Sequence, residues 1–341
     1  MKHTTETICM ADGQLIQLAR FEPDDKPVAV MQFVHGFGEH IGMYSKLGQY
    51  FADNGVVFVI HDQRGHGEMP DKTADERKRA WGVARYVNFL TDITDIRRRI
   101  GDWYPGLPVT LAGLSMGGNI VANYAERITE RPYANLVIES PWLRLAKPMP
   151  EAVTSFARVA GQVFPNFTIS SGLKVDAVSR DVAETTRMKL DKLYHDRISF
   201  KLYSQVLDAG EYAIAHAADI KLPTLLLDGT GDQIVSVEAV REFAKNAGPN
   251  VTLKEFDGGF HALHQDIVKD EVLAAILEFC LPVAETVAEP VAEPVAPAPA
   301  EEEWQPPEIP QEDTLAFKIL ALDDDGTPPA KADYINTEAG K

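Results

Sequence analysis

Short apolar runs alternate along the chain with stretches in which apolar residues recur every three or four positions. That alternation predicts an α/β protein with a mostly parallel sheet. Residues 7–11 and 15–21 flank Asp12-Gly13 and read as an opening hairpin. Residues 28–34 form a buried strand ending at His35-Gly36, residues 44–53 a helix closed near Asn54-Gly55, and residues 56–60 the next strand. Tyr86, Phe89, Leu90, Ile93, Ile96 and Ile100 share one face of a longer helix, whose exit is bracketed by Pro105 and Pro108. Further strands are predicted at 108–112, 135–138, 222–227 and 251–256, with helices at 237–247 and from about 264 to 281. Between 145 and 218 the strand rhythm stops and the pattern turns helical, which divides one core into 1–144 and 219–282 around an inserted helical cap. Residues 283–313, rich in Pro, Ala and Glu, cannot bury a core and read as a disordered acidic linker. Residues 314–341 follow as an extension of unassigned role, in which the apolar stretch 315–322 fits a short strand or helix.

Composition narrows the class. With 341 residues, 45% hydrophobic and 25% charged, the chain is long and apolar enough for one large domain. A formal charge of -18 argues against nucleic acid and anionic membrane surfaces as partners. Nine acids and no Lys or Arg fall between Val283 and Asp313, so half of that charge sits in the predicted linker, and a partner for the tail is left open. No apolar run approaches the ~18 residues of a membrane span and the first residues lack a signal-peptide core, so no integral membrane segment and a cytoplasmic location are expected. Cys9 and Cys280 show no metal or redox spacing and read as reduced and structural.

The chemistry starts at Gly113-Leu114-Ser115-Met116-Gly117, between an apolar strand and a helical stretch. A tight strand-to-helix turn exposes a serine hydroxyl above a sheet, and small residues two positions either side relieve the crowding. Such a nucleophile expects an acid after a later strand and a histidine after the last one. Asp232, in the loop after 225–227, and His261, in the glycine-rich loop after 251–256, occupy those places. Asp228 and Asp257 compete for the acid, but Asp228 is so near the strand end that Gly229 turns the chain at once; His264 competes for the base, but is expected to open the last helix and face away. Two backbone N–H groups are needed for the oxyanion: Met116 directly after the nucleophile, and Phe37 in His35-Gly36-Phe37-Gly38-Glu39-His40. Asp62-Gln63-Arg64-Gly65-His66-Gly67 reads as a rigid turn bracing that loop. His35, His40, His61 and His66 lack zinc-site spacing, and no phosphate loop or dinucleotide fingerprint occurs, so neither metal nor cofactor is expected.

These motifs together resemble the monoacylglycerol lipase and lysophospholipase group of α/β-hydrolases. His35-Gly36-Phe37-Gly38-Glu39-His40 is similar to its His-Gly-x-Gly-Glu-His loop, Asp62 to Gly67 to its Asp-x-Arg-Gly-His-Gly turn, and Gly113 to Gly118 to its nucleophile elbow. The resemblance spans about residues 7–282 and includes the cap segments Phe164 to Phe167 and Tyr194 to Ser199. It implies an α/β-hydrolase fold, a triad of Ser115, Asp232 and His261, oxyanion donors Phe37 and Met116, and a mobile cap over an acyl pocket. It also implies hydrolysis of a carboxylic ester in a glycerolipid. Two departures touch the pocket mouth rather than the triad: Glu68-Met69-Pro70 replaces a serine usual after the Arg-Gly-His-Gly turn, and Asp191-Lys192 replaces a frequent Asp-Pro. Met149, Val153, Phe156, Val159, Ala160 and Val163 lie near helical spacing in the cap, a face that either lines the acyl pocket or seats the cap. The reading is a carboxylester hydrolase of monoacylglycerol-type lipids, with a lysophospholipase, a short-acyl esterase, or an idle hydrolase fold used for interaction as alternatives.

Overall fold

Among the described residues ten strands form: β1 (Lys2–Cys9), β2 (Leu15–Glu22), β3 (Ala29–Val34), β4 (Val56–His61), β5 (Val109–Leu114), β6 (Asn135–Glu139), β7 (Thr168–Ser170), β8 (Arg197–Ser199), β9 (Thr224–Gly229) and β10 (Val251–Phe256). Eight of them join one sheet in the order β1-β2-β4-β3-β5-β6-β9-β10. The β1–β2 hairpin is antiparallel and β2 meets β4 antiparallel; every pairing from β4 to β10 is parallel. The computed structural model describes residues 1–127 and 133–281; the predicted linker 283–313, the extension 314–341 and its stretch 315–322 lie outside the described residues.

Every residue of β3, β4, β5 and β9 is buried, the condition of parallel strands covered on both faces. Helices α1 (Ser45–Asp53) and α9 (Lys269–Cys280) cover one face, packing Phe51 and Ile276 toward Met31, Phe58 and Leu227. On the other face α3 (Tyr86–Trp103), α4 (Met116–Arg127), α7 (Phe200–His216) and α8 (Val237–Asn246) pack against the alternate side chains Val30, Val57, Leu111 and Leu226. A short α2 (Ala74–Ala80) is held by a capping box between Thr73 and Glu76.

Two elements start away from their predicted positions. Strand β1 begins at Lys2, five residues early, because an outer edge strand needs charge pairing rather than apolar residues: Arg20 pairs with Glu6, and Lys2 with Glu22. The last helix begins at Lys269 rather than near 264. Residues 263–265 instead make one buried 3₁₀ turn, and the Asp266 carboxylate takes the Phe260 and Arg180 backbone N–H groups, turning the chain before α9.

The cap stretch 145–218 holds α5 (Glu151–Val163), β7, α6 (Val182–Leu190), β8 and α7. Strands β7 and β8 pair antiparallel over three residues each, too few to leave a period in the sequence. Helix α7 leaves the cap and enters the core, burying Leu202, Val206, Ala209 and Ala213 in the cluster shared with α4. It is the crossover helix that the parallel step from β6 to β9 requires. The buried positions of α5 are the small ones, Ala157, Ala160 and Gly161, and a Cβ on Gly161 would stand 3.0 Å from the Lys201 backbone at the start of α7. Small residues therefore seat the cap, while Val159, Val163, Phe164 and Phe167 are exposed. Among the described residues no helix is long and apolar enough to cross a membrane.

Candidate active site

Ser115 sits between β5 and α4 with φ of 58°, the left-handed region that a side chain adopts at a cost. The turn is held on all sides. The Ser115 N–H donates to the Glu139 carbonyl at 3.0 Å, and the Ser115 carbonyl accepts from the N–H groups of Asn119 and Trp142 at 2.9 Å each. The flanking glycines are demanded by space: a Cβ at Gly113 would lie 2.6 Å from the Gly117 carbonyl, and one at Gly117 would lie 2.1 Å from the Val34 oxygen. Met116 is the first residue of α4, so its N–H has no preceding helical turn to donate to.

Asp232 and His261 come together from two loops strapped to each other. The Gly231 N–H donates to Gly259 at 2.9 Å, the Thr230 N–H to Phe256 at 3.0 Å, and the Gly258 N–H to the Thr230 hydroxyl at 2.7 Å. One Asp232 oxygen accepts the Ile234 and Val235 N–H groups at 2.7 and 3.0 Å; the other lies 2.7 Å from His261 Nδ1. Burial, the largest single influence, pulls the His261 pKa down, but the charge and hydrogen bond of Asp232, with the charges of Glu39 and Asp228, together make the net shift upward. The rival acids are placed differently. Asp228 is buried with neither carboxylate oxygen hydrogen-bonded, and burial, helped by the Asp232 charge, pushes its pKa up to about 8. Asp257 accepts from the Thr230 hydroxyl at 3.2 Å.

His264 departs from expectation. It does not open the last helix; it lies buried in the 3₁₀ turn, with Nδ1 2.8 Å from a Glu139 oxygen. Ser115 and His261 line one cavity, and no hydrogen bond joins them in this structure.

Phe37 lies on a loop braced from two sides. The Gly36 N–H donates to Glu39 at 2.7 Å, and the same carboxylate oxygen accepts from the Tyr44 hydroxyl. At Gly38 φ is +78° and a Cβ would come within 2.1 Å of the His195 carbonyl, so only glycine fits. Among the described residues no acceptor takes the Phe37 N–H. The predicted bracing turn does its work through Gln63, whose N–H donates to His35 Nε2 at 3.0 Å and whose amide donates to the His35 carbonyl at 2.6 Å. Asp62 accepts the Ile41 and Glu68 N–H groups at 2.8 and 2.9 Å. Asp191, at the departure from Asp-Pro, lies 2.9 Å from His40 Nε2 and so ties the loop to the cap.

The cavity above Ser115 measures about 370 Å³. Phe37, Trp142, Met149, Val153, Phe156 and Leu173 contribute to its largely apolar wall. Among the described residues its one carboxylate is Glu39, which accepts from Gly36 and Tyr44. Of the residues that shape the site, Glu39 was visible in the sequence only as part of its loop motif. Glu139, Tyr44 and the His40–Asp191 contact carried no local signal.

A parallel sheet between helix layers, with a serine on a strand-to-helix turn and a carboxylate-bound histidine after the last strand, defines an α/β-hydrolase. A family model described as serine aminopeptidase, S33, matches residues 25–267. A monoglyceride lipase homolog of Monkeypox virus is 30% identical over 275 residues, covering 80% of this chain and 95% of that protein. The crystal structure of Paleococcus ferrophilus monoacylglycerol lipase superposes with a TM-score of 0.69 at 31% identity, covering 78% of this chain and 98% of that one. An uncharacterized abhydrolase domain-containing protein of Dictyostelium discoideum is 27% identical over 282 residues, and the chain spans 29% of its length. The chain belongs to this family of serine hydrolases, in the monoacylglycerol lipase and lysophospholipase group.

Proposed function

We propose that the protein cleaves monoacylglycerol-type lipid esters to a fatty acid and glycerol through an acyl-enzyme on Ser115. His261 takes the hydroxyl proton as Ser115 attacks the ester carbonyl, and Asp232 orients the ring and stabilises its charged form. The N–H groups of Phe37 and Met116 receive the oxyanion. The bond to the leaving alcohol breaks as His261 returns the proton to it; water, deprotonated by the same ring, then releases the acid and restores Ser115.

The observation that carries this reading is the apolar cavity that Ser115 and His261 both line. An aminopeptidase would need a free carboxylate there for the substrate's ammonium, and the one carboxylate lining it among the described residues, Glu39, already accepts from Gly36 and Tyr44 through one oxygen. Relatives named as monoglyceride lipases support the same substrate class.

The test pairs labelling with a substrate series. A fluorophosphonate is expected to label the wild type and not Ser115→Ala, and turnover is expected to favour medium- or long-chain monoacylglycerol over acetate and butyrate esters and over lysophosphatidylcholine. Preference for the short esters removes the lipase reading. An unlabelled wild type removes the hydrolase mechanism and favours an interaction module.

A further inference from the structure

A buried pair outside the relay joins the nucleophile turn to the histidine loop. Glu139 ends β6 beside Leu114 of β5, and its carbonyl is the acceptor of the Ser115 N–H. Its side chain, buried, meets His264 three times: the His264 backbone N–H donates to Oε1 at 3.1 Å, and Nδ1 lies 2.9 and 2.8 Å from Oε1 and Oε2. His264 follows His261 by three residues on the same loop. Burial lowers the His264 pKa most, and the Glu139 charge and hydrogen bond, with the charges of Glu39 and Glu184, together turn the net shift upward.

The contacts continue to the third loop. The His264 ring stacks on Tyr44 with centroids 5.5 Å apart, the Tyr44 hydroxyl donates to Glu39, and the same Glu39 oxygen accepts the Gly36 N–H beside Phe37. One buried chain of contacts thus touches the nucleophile turn, the base loop and the oxyanion loop. Since no hydrogen bond joins Ser115 to His261 directly, their separation is set by the backbone of the two loops, and the Glu139–His264 pair is the side-chain tie between those loops.

We propose that Glu139 and His264 are positioning residues for ester hydrolysis, holding the His261 ring and the amide donors in register with Ser115. This rests on the reading of Ser115 as the nucleophile. A pair kept for stability alone behaves differently. Removing one partner strands a buried charge, but replacing both with apolar side chains of similar volume commonly restores stability. A positioning tie does not return with stability, because the apolar pair lacks the directed bonds that fix the loop, and a misplacement near 1 Å costs on the order of 10²-fold in rate.

The experiment uses the full chain, with monooleoylglycerol and p-nitrophenyl butyrate as substrates, and compares Glu139→Gln, His264→Asn and the double variant Glu139→Met/His264→Leu. Each single variant is expected to lose about 10- to 100-fold in kcat on both substrates, with KM within about threefold. The double variant is expected to regain a melting temperature within about 4 °C of wild type and to keep the kcat deficit. A kcat of Glu139→Gln within twofold of wild type overturns the proposal, as does a kcat that returns together with stability in the double variant. Should the single variants not fold, the double variant decides. A wild type inert to fluorophosphonate overturns the hydrolase reading and this one together; a reactive wild type with unaffected variants overturns this one alone.

Discussion

The His261 pKa is shifted upward although the ring is buried, because the charge and hydrogen bond of Asp232, with the charges of Glu39 and Asp228, together exceed the effect of lost water. A base must be neutral to take a proton, so kcat/KM for ester hydrolysis is expected to rise with pH through an inflection above 6.5, read from a profile between pH 5 and 9. In Asp232→Asn burial, the largest single influence, loses its main opponent; the inflection is expected to move down, and kcat to fall by about 10³- to 10⁴-fold. Order along the chain and position after strands single out Ser115, Asp232 and His261 in the sequence, and the structure brings the Asp232 carboxylate to the His261 ring in a cavity that Ser115 also lines. The choice against Asp228 was legible too, and for a local reason: the bond from the Asp232 N–H to the Gly229 carbonyl closes the turn that brings Asp232 to the ring. The partner of His264 was not legible. Glu139 lies 125 positions away, and nothing in its neighbourhood marks a carboxylate that will be buried.

Among elements, the cap is where sequence reasoning reached least far. Periodicity found α5 but not which side chains face inward, since Ala157, Ala160 and Gly161 take the packed side while larger neighbours stay out. Three-residue strands such as β7 and β8 are shorter than any periodic signal, and β1 extends through polar residues because its edge is paired by charge. Phe156 marks what the exposed side does. It lines the cavity yet is 63% exposed, so Phe156→Ala is expected to shift unfolding by no more than about 0.5 kcal/mol. The same change is expected to raise KM several-fold for a long-chain monoacylglycerol and leave an acetate ester unaffected. Equal effects on both esters would assign Phe156 to the general shape of the site rather than to the acyl chain.

For the molecule as a whole, buried histidines make stability depend on pH on the acid side. Burial lowers His61 to about 3, His66 to about 4 and His195 to about 2. A histidine kept neutral in the fold contributes stability that is complete above its unfolded value near 6.5 and is lost as pH falls toward its folded value. Each contributes at most about 1.4 kcal/mol per pH unit over that interval. His261 and His264 have raised values and act with the opposite sign: their stability is full below 6.5 and is lost as pH rises through the folded pKa. His35 is lowered as well, while Asp62, Asp92 and Asp228, raised by burial to about 7, 6 and 8, take up protons in the fold over the same interval and oppose the histidines, so the histidine share is read one residue at a time. His66→Gln is expected to reduce the slope of stability against pH between 6.5 and 4 by about one proton, as followed by melting curves across the range. An unchanged slope would mean that His66 is not neutral in the fold.

Helix α7 belongs to two layers at once: it closes the crossover between β6 and β9, and α5 rests on its first turn. Anyone transplanting a lid from a relative to change substrate taste must therefore make the second splice before Phe200. An exchange of the full 145–218 stretch would also remove the helix that covers Leu226, and the graft would fail by unfolding before its selectivity was ever measured.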